Sequence, residues 1–120
     1  MAHPIVHLDL AAHDPAVSSK FYADVFGWKI TKDENFNYYM FSVEGGPGGG
    51  FVQIGSDYKQ GEIIPYLGTQ DIDADLKRVE QAGGKVLQPK MDIGDFGEFA
   101  MFADPAGNRV GLYASKTPQG

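Results

Sequence analysis

The alternation of hydrophobic and polar residues divides the chain into short strands and two amphipathic helices. Residues 5–11 follow the two-residue period of a strand, with Leu8 and Leu10 on one face. His7 and Asp9 lie together on the opposite face. The pattern therefore predicts a first strand with one apolar and one polar face.

A helix is predicted over residues 15–26. Asp14 can accept hydrogen bonds from the free amides of the first turn, and Pro15 suits the first helical position. Gly27 suits the left-handed residue that follows a helix. We expect one helical face to pack against a sheet, because its apolar residues recur at helical spacing: Val17, Phe21 and Val25, with Phe26 beside them.

Three more strands are expected after this helix, at residues 28–31, 36–43 and 51–54. Residues 45–50 consist of five glycines and one proline. They lack the Lys-Ser/Thr ending of a phosphate-binding loop, and no helix follows them. Because glycine costs backbone entropy on ordering, we interpret this segment as a mobile hairpin loop.

The second half of the chain repeats the first. Strands are predicted at residues 63–68, 85–87, 99–103 and 109–114, and the helix between the first two carries Ile72, Leu76 and Val79 on one face. The capping residues Asp14 and Asp71 lie 57 positions apart, as do Gly27 and Gly84, and Met40 and Met101 lie 61 apart. Such a period indicates two copies of one supersecondary unit.

Each copy reads strand–helix–strand–strand–strand. We therefore predict one α+β domain over residues 1–120, with βαβββ repeats at about 4–56 and 62–114 and a frayed tail at 115–120. One repeat alone cannot cover both faces of its sheet, so the two are expected to pack together.

Composition narrows the classes of partner. The net charge is −6, and an acidic surface disfavours nucleic acid and anionic membranes. The chain has no cysteine, which excludes disulfides, thiolate metal sites and cysteine nucleophiles. Neither an apolar run long enough to span a membrane nor a signal peptide is present, so we expect a cytoplasmic protein.

Three motifs resemble the vicinal oxygen chelate superfamily, which includes glyoxalase I, extradiol dioxygenases and bleomycin- and fosfomycin-resistance proteins. They are the string from His7 to Asp14, Phe21-Tyr22 before Phe26-Gly27-Trp28, and Asp104-Pro105-Ala106-Gly107-Asn108. The resemblance covers about residues 4–114 and is strongest to small glyoxalase-like proteins of uncharacterised activity. It implies that the two repeats form an eight-stranded, cup-shaped mixed sheet with the helices outside and a site inside the cup.

The resemblance also implies four metal-ligand positions, on the first and fourth strands of each repeat. His7 and Gln53 occupy two of them, whereas Ile64 and Gly111 cannot ligate. Catalytic zinc or iron sites use three or more protein ligands, so we expect no metal cofactor. The alternative is a divalent ion (Zn, Ni, Mn or Fe) held with a displaced carboxylate, for which Asp9 is the best candidate.

His7 is the candidate catalytic residue, acting as a general base oriented by Asp9. It could instead be a chemically idle histidine. Strand parity and the resemblance place the candidate substrate-binding residues on the cup face: Asp9, Phe51, Gln53, Tyr66, Arg109 and Tyr113. These side chains could equally fill the cup as core.

Three functions remain open. The first is metal-independent binding of a small organic molecule, for sequestration or for lyase- or isomerase-like chemistry. The second is a metal-dependent enzyme similar to lactoylglutathione lyase or to a dioxygenase, and the third is an interaction module with a filled cup. The resemblance implies a homodimer, and Phe26 and Trp28 are expected to close the core or a dimer contact.

Overall fold

The computed structural model describes residues 2–35 and 37–116. Within these residues the chain forms eight strands, two α-helices and one 3₁₀ turn. In chain order they are β1 (Ile5–Ala12), α1 (Pro15–Phe26), β2 (Lys29–Asp33), β3 (Tyr38–Ser42), β4 (Gly48–Gln53), β5 (Ile63–Gly68), α2 (Ile72–Gln81), β6 (Lys85–Asp92), the 3₁₀ turn (Gly94–Phe96), β7 (Glu98–Ala103) and β8 (Arg109–Ala114).

Residues 6–64 form one compact unit. Its strands lie in the order β2-β3-β4-β1, with β1 parallel to β4 and the other neighbours antiparallel. Helix α1 packs on β2, β3 and β4. The core between helix and sheet is aromatic: the ring of Trp28 stacks on Tyr22 at 4.5 Å and on Phe41 at 4.2 Å, and Phe51 is buried beside them.

A second compact unit contains residues 2–5 and 65–116. Its strands lie in the order β5-β8-β7-β6, with β5 parallel to β8. Helix α2 packs on β6, β7 and β8 and buries Ile72 and Leu76 against Ala100 and Leu112. Each unit therefore repeats the strand–helix–three-strand order.

The predicted α+β class, with eight strands of mixed sheet and two helices, is confirmed. The helix caps are confirmed as well: Asp14 accepts from the Ala16 amide, Asp71 from the Ala74 amide, and Gly27 is left-handed with φ 74°. Neither helix of the described chain is long and apolar enough to cross a membrane. Residue 36 of the predicted third strand and residues 117–120 of the predicted tail lie outside the described residues.

The prediction for the packed face of α1 is wrong. The apolar stripe points away from the sheet, and its members are more than half exposed: Val17 65%, Phe21 52%, Val25 57% and Phe26 62%. Tyr22 enters the aromatic core instead, and Ser19 is 2% exposed beneath the helix. Burial of Ser19 is tolerated because its hydroxyl donates to the Pro15 carbonyl at 2.6 Å.

The glycine-rich segment is only in part the hairpin loop that its composition predicted: residues 45–47 lie in the connection between β3 and β4, whereas the last three glycines belong to a strand. Gly48, Gly49 and Gly50 form the first half of β4 and pair with β1 and β3. A Cβ at Gly49 would overlap the Leu8 carbonyl oxygen and lie 2.7 Å from the Phe41 ring. The glycines are therefore strand residues that allow a close approach of neighbouring backbone and rings.

Substituting Gly49 by alanine should destabilise the fold strongly, because the Leu8 carbonyl belongs to a paired strand and cannot move aside. We expect Gly49→Ala to cost about 2–4 kcal/mol in the free energy of unfolding, measured by urea denaturation. The matched control is Gly55→Ala, where nothing lies within 4 Å of the new Cβ. Equal stability of the two variants would contradict the close approach.

The segment from Asp104 to Asn108 is a turn, as its sequence predicted. The Asp104 carboxylate accepts from the backbone amides of Ala106 and Asn108 at 2.9 Å, and Gly107 adopts φ 92°. The amide and side chain of Asn108 hold the pKa of Asp104 below its ordinary value. The Asp104 carboxylate thus stabilises the backbone of the β7–β8 turn, and this structural role accounts for the residue without a catalytic one.

This lowered pKa predicts the sign of a pH effect. Because the folded-state pKa is below the unfolded one, the carboxylate contributes stability above its unfolded pKa, and this contribution is lost as the pH falls through the folded pKa. The difference in urea midpoint between the native chain and Asp104→Ala should therefore shrink in acid. A difference that grows toward low pH would contradict the assignment.

Candidate functional site

Three polar side chains meet on the face of the first unit's sheet opposite α1. Strand β1 carries His7 and Asp9 on one face, and β3 supplies Tyr38. The His7 Nε2 atom lies 2.9 Å from Asp9 Oδ1 and 3.0 Å from the Tyr38 hydroxyl, which itself donates to Asp9. The Asp9 side chain is 7% exposed and that of His7 is 30% exposed. The cluster is thus anchored at Asp9 and open at His7.

The acceptor chemistry of Asp9 assigns the proton on the His7 ring. An ionised carboxylate only accepts hydrogen bonds, so Nε2 must carry the hydrogen that it shares with Asp9. In the neutral ring the lone pair then resides on Nδ1. A carboxylate that holds one tautomer and one ring orientation is the usual support of a histidine base.

Tyr38 is the member of this cluster that sequence reasoning missed. Its phenol lies over Gly50, where a Cβ would overlap the Tyr38 ring and hydroxyl. Gly50 pairs with Asp9 on one side and with Met40 on the other. Parity puts Tyr38 on the same face as Met40, but only the register between β3 and β4 brings that face beside Asp9, so the sequence alone could not find it.

Phe51 and Gln53 do not share the face of His7, in contrast to the prediction. Phe51 pairs with Leu10, is 3% exposed, and lies in the aromatic core 5.5 Å from the Phe41 ring. The exposed Gln53 donates its amide to the His13 carbonyl. The physical reason is that β4 begins at Gly48, which sets the register and turns odd-numbered residues of β4 toward α1.

A surface cleft of about 480 Å³ lies at the end of β3 and β4. It is bordered by aromatic, amide and carboxylate side chains and by backbone, from Pro15, Asn37, Tyr38, Tyr39, Phe51, Val52, Gln53, Gly55, Ser56, Asp57 and Tyr58. Phe51 and Gln53 thus border this cleft rather than the face of His7. Because Tyr38 lines the cleft and contacts His7, one side chain joins the two features.

The remaining predicted site residues lie in the second unit. Tyr66 is 9% exposed, and its ring covers Gly111, where a Cβ would overlap it. Arg109 and Tyr113 alternate with Gly111 on β8 and are half-buried. The Tyr113 hydroxyl donates to the Phe96 carbonyl, and burial raises the pKa of this phenol.

The metal-ligand positions suggested by the family resemblance do not fit a metal ion. His7 and Gln53 are not neighbours, because β4 pairs Gly48 with His7 and Gln53 with Ala12, five residues or roughly 16 Å along the strand. The register also shows that Gly50, which pairs with Asp9, corresponds to Gly111, which pairs with Tyr66.

Three of the four positions therefore offer no donor atom: the glycines 50 and 111, and Ile64, which is 1% exposed. Across the described part of the chain, no group of three or more His, Asp or Glu side chains could hold an ion. His7 and Asp9 supply two donors that already bond to each other. The donor set is thus smaller than a catalytic metal site requires.

Metal loading should accordingly fail. After saturation with Zn²⁺, Ni²⁺, Mn²⁺ or Fe²⁺ and desalting, we expect far less than one ion per chain by elemental analysis, because the described residues bring no three His, Asp or Glu side chains together. One ion per chain, lost in His7→Ala but kept in His13→Ala, would contradict this expectation.

The sequence of the chain is similar to those of known proteins. Residues 4–112 match the family model described as Glyoxalase/Bleomycin resistance protein/Dioxygenase superfamily. The anthracycline biosynthesis protein DnrV of Streptomyces peucetius is 31% identical, over 93% of this chain and 47% of that protein. The chain thus spans about half the length of the curated relatives that it matches.

Solved structures share the fold at low sequence identity. Hypothetical protein BH1468 from Bacillus halodurans C-125 superposes with a TM-score of 0.77 at 12% identity, covering 100% of this chain and 99% of that one. Streptomyces coelicolor methylmalonyl-CoA epimerase (S115T) superposes with a TM-score of 0.72 at 20% identity, covering 100% and 99%. At these identities the likeness concerns the fold alone.

Proposed function

The chain belongs to the Glyoxalase/Bleomycin resistance protein/Dioxygenase superfamily, and from this premise we propose that it binds a small organic molecule and exchanges a proton with it through His7, without a metal ion. The observation that carries the proposal is the cluster of His7, Asp9 and Tyr38. Function in this superfamily resides in the site rather than in the fold, so the argument rests on these side chains.

The buried Asp9 supports the role of His7 as a base. A carboxylate with two donors, His7 and Tyr38, fixes the imidazole so that Nδ1 carries the lone pair. The imidazole is partly exposed, which allows a substrate to approach it. Imidazole is the side chain that enzymes use most often as a general base.

The cleft beside Tyr38 supports an aromatic ligand. Three tyrosines and one phenylalanine border it, and its volume of about 480 Å³ suits a small organic molecule. The curated relative from Streptomyces peucetius is named for the biosynthesis of anthracyclines, which are polycyclic aromatic compounds with carbonyl groups. We therefore propose an aromatic carbonyl compound as the ligand class.

His7 does not border the cleft, so the proposal requires that the ligand extend past Tyr38, which contacts both, to reach the His7 ring. Nδ1 of His7 takes a proton from the carbon next to the carbonyl, and the electron pair of that C–H bond forms the enolate. The imidazolium then returns a proton to the same carbon and regenerates both the neutral ring and the carbonyl. No oxidant or reductant is needed. In heavy water the imidazolium exchanges the proton on Nδ1 with solvent before it protonates the carbon, so the returned atom is deuterium.

Acetophenone in heavy water tests this proposal. We expect the methyl proton signal to disappear faster with the protein than without it, and binding to broaden the aromatic signals. Because removing a general base typically costs about 10²–10⁴-fold in rate, His7→Ala should lose the acceleration, keep binding within a few-fold, and change stability little.

His13→Ala is the matched control, since His13 is exposed and its ring is hydrogen-bonded to Gln60, away from Asp9 and Tyr38. It should leave exchange and binding unchanged. Loss of exchange in both variants would contradict the role of His7. A large fall in melting temperature for His7→Ala without an effect on exchange would make His7 a structural residue.

Sequestration is the second candidate function, and the aromatic cleft favours it independently of His7. Binding of acetophenone without faster exchange would support sequestration and contradict proton transfer. Absence of binding to any aromatic carbonyl compound would contradict both and support the interaction module.

A further inference from the structure

We infer that Tyr38 determines which carbonyl compounds reach His7, because it is a steric barrier between the cleft and the histidine. The inference rests on the function proposed above and narrows its substrate class. A carbonyl on a narrow side arm of an aromatic ring reaches His7, whereas a carbonyl built into a fused ring system stays in the cleft. The observation that carries the inference is that Tyr38 both borders the cleft and contacts the His7 ring.

The backbone of Tyr38 is held by its strand. Tyr38 is the first residue of β3 and pairs with Asp33 of β2. The turn that precedes it contains Asn37, whose φ of 51° is left-handed, and the Asp33 carboxylate accepts from the Asn35 amide in the same turn. Asparagine adopts a left-handed φ more readily than most residues. One end of the Tyr38 side chain is therefore anchored in the sheet.

The other end of the side chain is held by hydrogen bonds. The Tyr38 hydroxyl donates to the buried Asp9 and lies 3.0 Å from the Nε2 atom of His7. A hydrogen bond to a carboxylate is stronger than one between neutral groups, so breaking it is costly. The phenol therefore keeps its position when a ligand enters the cleft.

The ring between these two ends packs on the backbone of β4. It covers Gly50, where a Cβ would overlap it. Its plane is tilted by 27° from that of the His7 imidazole, and the two ring centroids lie 6.4 Å apart. The ring therefore has no room to move toward β4, and it forms a fixed side of the path from the cleft to His7.

A fixed ring beside a base discriminates between ligands by shape. Proton transfer requires that the acidic carbon come within roughly 3–3.5 Å of the His7 Nδ1 atom. The methyl group of an acetyl arm is terminal and narrow, so it can pass the Tyr38 ring while the arene stays in the cleft. When the acidic carbon belongs to a second ring fused to the arene, the whole bicycle must pass Tyr38 first.

Acetophenone and 1-indanone form a matched pair of ligands for this comparison. Both are aryl ketones with acidic C–H bonds on the carbon next to the carbonyl, and 1-indanone has one additional carbon, which closes the second ring. The same removal and return of a proton therefore applies to both. A difference between their exchange rates, each divided by the rate without protein, reports on access to His7.

Deuterium exchange of the two ketones in heavy water, followed by nuclear magnetic resonance, tests the inference. We expect 1-indanone to bind within a few-fold of acetophenone, seen as broadening of its aromatic signals, because both arenes occupy the same cleft. Its exchange should be at least about 10-fold slower than that of acetophenone, since one methylene in a confined site changes rates by about 10–200-fold.

Variants of Tyr38 separate the barrier from the support of His7. Tyr38→Ala should bring the two exchange rates within about 3-fold of each other, because the barrier is gone. Tyr38→Leu is a second variant with the same expectation, and circular dichroism should show that both remain folded. Tyr38→Phe keeps the ring, so it should lower both rates and preserve their ratio. A merely structural role of Tyr38 would slow both ketones equally and leave the ratio unchanged in every variant.

Tyr58→Ala is the matched control, because Tyr58 borders the same cleft from the segment between β4 and β5. It should weaken the binding of both ketones and leave the ratio of their exchange rates unchanged. Equal exchange of the two ketones by the native chain would overturn the inference, and so would a ratio that survives both Tyr38→Ala and Tyr38→Leu. Exchange of neither ketone would instead contradict the proposed proton transfer, and the inference would fall with it.

Discussion

The absence of side chains at Gly49 and Gly50 is the constraint on which the first unit depends. It lets the Leu8 carbonyl and the Phe41 ring close on one side of β4 and the Tyr38 phenol close on the other. The core and the polar cluster are thus set by the same two residues. Because β4 is parallel to β1 and paired from Gly48 onward, Asp9 is brought beneath the Tyr38 hydroxyl. Asp9 and Tyr38 in turn both contact the Nε2 atom of His7 and so orient its ring.

The second unit also has a tyrosine ring packed on a strand glycine, because the Tyr66 ring covers Gly111. In both units an aromatic ring therefore occupies the space next to the fourth strand where the family resemblance would place a ligating side chain. A carboxylate at either glycine would collide with that ring, so the glycines and the tyrosines must be considered as pairs. At both glycines, therefore, no metal donor is present and an aromatic ring fills the space beside the strand.

Much of the fold could be predicted from the sequence because its signals are local. The caps at Asp14, Asp71 and Gly27 act within one helical turn, and the repeat is visible as a constant offset. The site was only half predictable. The pairing of His7 with Asp9 follows from strand parity, whereas Tyr38 depends on the register between β3 and β4. Composition suggested that the glycine-rich segment is a loop. Gly48, Gly49 and Gly50 form a strand because they pair with β1, where the Leu8 carbonyl lies close to Gly49.

The orientation of α1 could not be predicted from the sequence either. Each helix buries one polar side chain, and the two side chains find their hydrogen-bond partners in different places. In α2 the carboxylate of Asp75 is buried and accepts from Arg78 of the same helix, and it is also bonded by His3 and Thr69, which lie outside the helix and hold its inner face in place. In α1 the hydroxyl of Ser19 returns to the helix's own backbone and requires no partner elsewhere. A small, self-satisfied inner face lets α1 lie close to the sheet and leaves Tyr22 as its aromatic contact with the core. The apolar residues that periodicity assigned to the inside are then exposed on the outer face of the helix, and the spacing of apolar residues alone cannot say which of the two faces is buried.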